Sequence, residues 1–243
     1  MFNIENYKRE KEQVIKEIKK SLPDWEHTQG FVADGLLSPE EYARQTFKVL
    51  FILGEYYDND KNGMIDIETQ PETDFWRIKE PGYKTAKAVP FLLWYIYKYH
   101  GVEAREIKRE FFKTSPKNAA ELQKYFKRAG VIDIKKESAS MADNRQTDEK
   151  IFDAAKKNRD ILIHQIESMS PDLIIMCSNA VKDSVIKEKI LVFPDYPDKK
   201  PIPKDKIIHD DKNRYIIFTK HPRWWSYADV HSIYQIIAPY IKS

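Results

Sequence analysis

With 243 residues, a formal net charge of +3 and 33% charged side chains, the chain has the size and polarity of one globular domain that buries a sizeable core without cross-links. The single cysteine, Cys177, excludes an intramolecular disulfide and any centre built on several thiolates, iron–sulfur clusters included. No apolar run reaches the roughly 20 residues of a bilayer span and the Lys- and Glu-rich start lacks a signal-peptide core, so a cytosolic protein is expected, with too mild a charge to announce a nucleic-acid partner by composition.

In chain order, Ile4, Tyr7, Val14, Ile18 and Leu22 recur near helical spacing and predict an amphipathic helix stopped by Pro23. Ser38, Pro39 and Glu41 then carry the signature of a helix start: an N-cap, a first-turn proline and a capping-box acid. The stretch to about residue 45 is read as a helical extension of a single domain spanning 1–243. Val49 to Leu53 is a short apolar run closed by Gly54, as in a buried parallel strand, and Glu55 and Asp58 follow it. Residues 88–101 are apolar on nearly every face and predict a buried helix with Pro90 near its start. Another helix runs from Ser115 to Gly130, and a second strand follows over 131–134.

One long helix is expected from about Ile151 to Met169, closed by Pro171 before a third strand at 173–177. Residues 190–213, rich in Pro, Asp and Lys, read as a surface excursion with room for a strand at its start. A fourth strand at 214–218 leads through His221 and Pro222 to a last helix capped by Ser226 and Asp229. Strands alternating with helices predict an α/β three-layer sandwich around a central, mostly parallel sheet of four strands.

Ligands of open parallel sheets bind beyond the carboxyl ends of the strands. Four polar clusters fall there: Gly54 and Glu55 with Asp58, Asp133 with Lys135 and Lys136, Ser178 with Asn179, and His221 with Arg223. Each has a plain structural reading, since Ser178 and Asn179 can cap the next helix and Glu55 can sit on the surface. The other histidines have no metal-ligand spacing, and no metal or other cofactor is expected. His221 stands apart, because the proline after it bars helical geometry and sets the ring at the mouth of the loop. Of the adjacent Trp224 and Trp225, at least one is expected to be partly exposed, and a ring beside Lys220 and Arg223 suits stacking or wedging on nucleic acid.

The order of strand and "GE", strand and "D-x-K-K", "PDLIIMCSNA", and strand and "KHP" resembles the uracil-DNA glycosylase superfamily between Lys48 and Ile237. That resemblance implies the same sandwich fold and a monofunctional, metal-free glycosylase that hydrolyses the N-glycosidic bond of a flipped modified or mispaired base. Glu55, or failing it Asp58, would orient water and face the cationic sugar, and His221 would donate to the base oxygen as charge develops. Gly54, Tyr57, Phe75 (or its neighbour Trp76), Asp133, Ser178 and Asn179 would line the base pocket. Lys135, Lys136, Lys220, Arg223, Trp224 and Trp225 would meet single- or double-stranded DNA, the implied partner of a monomer.

Tyr56 and Tyr57 stand where the best-known branch has Asp-Pro, so Asp58 would serve from a shifted position, and two further positions depart from the family pattern. Asp133 stands where an asparagine reads the base, and an ionised carboxylate accepts hydrogen bonds only. Ser178 replaces a glycine. These departures keep two further classes open: a DNA- or base-binding module without chemistry, and a nucleoside or nucleotide hydrolase.

Overall fold

A computed structural model describes residues 2–21, 31–54, 64–66, 84–98, 124–136, 148–195 and 206–241. Its elements are α1 (Ile4–Ser21), β1 (Phe31–Ala33), β2 (Gly35–Leu36), α2 (Pro39–Ala43), β3 (Val49–Leu53), β4 (Met64–Asp66), α3 (Lys84–Lys98), β5 (Ala129–Asp133), α4 (Asp148–Lys157), α5 (Arg159–Met169), β6 (Leu173–Cys177), α6 (Asn179–Lys187), β7 (Ile208–His209), β8 (Tyr215–Thr219) and α7 (Tyr227–Ile237).

The main sheet runs in the order β2-β5-β3-β6-β8-β7. Its inner four strands, β5, β3, β6 and β8, are parallel, whereas β2 and β7 pair antiparallel at the edges. The four-stranded sheet expected from the sequence is therefore corrected to a mixed sheet of six. Both added strands are two residues long, too short to carry a period-2 pattern. A separate parallel pair joins β1 to β4.

Side chains of a strand alternate between faces, and all five residues of β3 are buried, so helices must cover both. Val49, Phe51 and Leu53 pack with α3 and α7 on one face, and Leu50 and Ile52 pack with α4, α5 and α6 on the other. Pro90 lies inside α3 rather than near its start, because the helix begins at Lys84.

Three further expectations change. The long helix before β6 is two helices, α4 and α5, interrupted at Asn158, whose side-chain amide donates to the Ile134 carbonyl at 3.0 Å. Left-handed Ser170, ahead of Pro171, ends α5. The excursion after α6 starts inside the molecule, where Ile190, Leu191 and Phe193 are buried against Val181, Val185 and Phe218, and its strand, β7, lies near its end.

The N-terminal segment is built into the sheet. Val14 and Ile18 of α1 pack on Ile161 of α5, and the Tyr7 hydroxyl accepts from the Leu36 amide at 2.8 Å. Gly35 has φ +140°, and a Cβ there would lie 2.5 Å from that hydroxyl, so glycine is what lets Tyr7 hold β2. Among the described residues no helix is long and apolar enough to cross a membrane.

Candidate functional site

In chain order the inner strands β5, β3, β6 and β8 are the second, first, third and fourth parallel strands, so the direction of winding reverses between β3 and β6. At such a switch point the loops leaving two neighbouring carboxyl ends diverge and open a crevice. Gly54 closes one of these strands and Ser178 the other.

Register carries a row of side chains across this edge. Asp133 lies opposite Leu53, and Cys177 opposite Thr219, on the face covered by α3 and α7. The Thr219 hydroxyl donates to the Met176 carbonyl at 3.3 Å and lies 3.9 Å from the Cys177 sulfur. Burial pushes the Cys177 thiol far above its ordinary range and the nearby Asp133 carboxylate adds to that, while Thr219 works against it. Cys177 is thus a neutral core side chain and a poor nucleophile.

Beyond this edge a groove of about 470 Å³ lies between β8 and α7. Ser178 and Asn179 line it from the end of β6, and Lys220, His221, Trp224 and Trp225 from the loop after β8. His221 is half-buried and lines the groove. The turn Pro222–Trp224 is a single 3₁₀ turn, closed by Trp224 N–H donating to the His221 carbonyl at 2.9 Å. The tryptophan pair divides its roles: Trp224 is 64% exposed, and Trp225 is 5% exposed in the α3 and α7 core. Trp224 stands in solvent, whereas Trp225 is corrected to a core residue whose indole N–H is bonded to the Lys220 carbonyl at 2.7 Å.

Lys136 is also placed otherwise than expected. Only 2% exposed, its ammonium lies 2.8 and 2.9 Å from the two Asp34 oxygens and is closed off from solvent, which removes it as a DNA contact. Asp34 also accepts from the Asp133 amide and from the Gln165 side chain, so one buried carboxylate gathers β2, β5 and α5. Asp133 itself is 2% exposed at the end of β5. Lys135 is half-buried, and its amide donates to the Gly54 carbonyl at 3.0 Å, extending the β3–β5 ladder by one step. Arg223 falls within the 3₁₀ turn. Glu55, Tyr57, Asp58 and Phe75, with its neighbour Trp76, lie outside the described residues.

Sequence reasoning missed three polar groove residues, Thr219, Asp229 and Ser232. Ser232 carries no local signal, and Asp229 was legible as a helix cap but not as the partner of Lys220, whose ammonium sits 2.8 Å from its carboxylate. Among the described residues no three His, Cys, Asp or Glu side chains come together as a metal centre would require. No protein-family model matches the chain, and no curated protein matches it with statistical significance.

Proposed function

We propose that the chain is a DNA base glycosylase of the uracil-DNA glycosylase type, hydrolysing the N-glycosidic bond of a flipped base. The observation that carries this reading is the meeting of Ser178, Asn179, His221 and exposed Trp224 around one groove beyond the carboxyl ends of two parallel strands. An indole standing in water beside a half-buried imidazole offers a flipped or unpaired nucleotide a stacking face and a hydrogen-bond donor. His221 donates to the base oxygen as the C1′–N bond lengthens and the base leaves as an anion. Glu55, the next residue after Gly54, directs water to the electron-poor sugar carbon, which takes the hydroxyl, while the remaining proton passes to the carboxylate and finally to the base anion.

A panel of single- and double-stranded oligonucleotides containing uracil, hypoxanthine or xanthine tests the reading. Wild-type protein releases at least one of these bases, and His221→Ala lowers the rate by about 100-fold or more, as loss of an anion-stabilising donor does. Failure to release any base overturns it.

A second reading, a binding module without chemistry, draws on Asp133, whose backbone amide and burial tie it to the Asp34 cluster as a structural residue. Its mark is a salt-sensitive DNA complex with no cleavage that Glu55→Gln leaves unchanged. Hydrolysis of free nucleosides without oligonucleotide binding would instead identify a small-molecule hydrolase.

A further inference from the structure

The loop that carries His221 and Trp224 is tied at both ends to one carboxylate. Asp229, in the first turn of α7, places one oxygen 2.8 Å from the Lys220 ammonium. Its other oxygen accepts from the Ser226 amide at 2.5 Å and the Ser226 hydroxyl at 2.6 Å. Between these ends the Trp225 indole reaches back to the Lys220 carbonyl at 2.7 Å, and the Trp225 amide donates to the Pro222 carbonyl at 3.0 Å. A capping box needs only Ser226 and Asp229. The bond to Lys220 is additional, and it joins the residue before His221 to the helix behind the loop.

We propose that Asp229 is the positioning residue of the candidate site: through Lys220, and together with the Trp225 indole, it holds His221 and Trp224 at the groove. Lys220 then acts as a brace and not as a phosphate contact. The reaction that His221 serves rests on the glycosylase reading, whereas the brace is a property of the free protein. A donor that meets a developing charge tolerates little displacement, and about 1 Å of misplacement costs on the order of 100-fold in rate. A lysine whose charge is already matched by Asp229 contributes little to counterion release on DNA.

Fluorine NMR of the full chain labelled with 5-fluorotryptophan tests the brace without any substrate. The five indoles are assigned by single Trp→Phe substitutions. Asp229→Asn keeps the side-chain shape and a cap acceptor but removes the charge, and Lys220→Met removes the partner while leaving the capping box intact. Both variants shift the Trp224 and Trp225 resonances. On a cleavable oligonucleotide both lower kcat about 10-fold or more with little change in KM. Lys220→Met leaves the slope of log affinity against log salt unaltered. Unmoved Trp224 and Trp225 resonances in both variants, or a slope reduced by about 1 in Lys220→Met, would overturn the brace. Displaced resonances in a protein that releases no base would uphold it and overturn the glycosylase reading alone.

Discussion

Ser178 holds φ 139° and ψ 164°, a backbone region populated almost only by glycine. Its hydroxyl accepts from the Val181 amide at 3.2 Å, but a glycine N-cap forfeits only a few tenths of a kcal/mol, whereas such strain costs about 1–3 kcal/mol. Ser178→Gly is therefore expected to raise stability by about 1 kcal/mol in urea unfolding. A loss of stability would show that the groove lining favours the hydroxyl. That a serine stands where the resembled pattern has a glycine was visible in the sequence; the conformation that calls for glycine was not, because φ at a strand end is set by the packing of the following helix. The tryptophan pair shows the same boundary. Adjacency limits how many indoles can be buried together, but only the bond to the Lys220 carbonyl decides that Trp225 goes inside. Asp229 adds a dependence on pH. Desolvation works to raise its carboxyl, yet the hydrogen bonds from Lys220 and Ser226 outweigh it and hold the group below the ordinary carboxylate range. A depressed folded-state value means that the stabilisation is fully present above the unfolded value of about 3.9 and is lost as the pH falls through the folded one. The difference in Tm between wild type and Asp229→Asn should thus shrink as the pH is lowered from 7 to 3. A gap that stays constant would remove the carboxylate's charge as its source.

Among the elements, the inner strands were legible as short apolar runs near polar clusters, although β5 starts at Ala129 and takes in the Gly130 that was expected to end a helix. The edge strands were not, since two residues carry no period. The break at Asn158 escaped for another reason: Ile151, Ala155, Leu162 and Ile166 all face the same cluster, so the apolar phase runs on through it. The Asp34–Lys136 pair was the least accessible, because its members lie 102 residues apart and no local pattern joins them. The pair fastens β2 to the end of β5, and its energetics follow from burial. Breaking a buried pair leaves an uncompensated charge and costs about 3–5 kcal/mol, far more than an exposed ion pair is worth. Lys136→Met should fall near the lower end of that range, because Asp34 keeps its hydrogen bonds from the Asp133 amide and Gln165. Replacing both charges, as Asp34→Asn with Lys136→Met, should recover part of the loss. Chemical denaturation of the three variants checks the order, and a double variant no more stable than Lys136→Met would place the cost in packing instead.

At the scale of the whole molecule, stability and the candidate site are distributed unequally across the sheet. β3 and β6 each have a parallel partner on both sides and are buried throughout, so their amides open only when the domain unfolds. β8 has β6 on one side, but β7 pairs with it only at Tyr215 and Ile216. The loop that follows β8 adds turn bonds and the Asp229 ties to this lighter framework, and it carries half-buried His221 and exposed Trp224. A site that must admit a flipped nucleotide benefits from that asymmetry, because the loop can adjust without opening the core. Native-state hydrogen exchange should therefore be slowest for the amides of Phe51, Ile52, Ile174, Ile175 and Met176, and these should share one opening free energy equal to the global value. The amides of Trp224 and Trp225, bonded within the loop, should exchange through a smaller opening that depends weakly on denaturant. Asp229→Asn should lower that smaller opening energy and leave the inner-strand amides shifted only by the change in global stability. Loop amides that exchange with the same energy as β3 and β6 would make the loop part of the cooperative core, and a carboxylate brace would then have nothing left to hold.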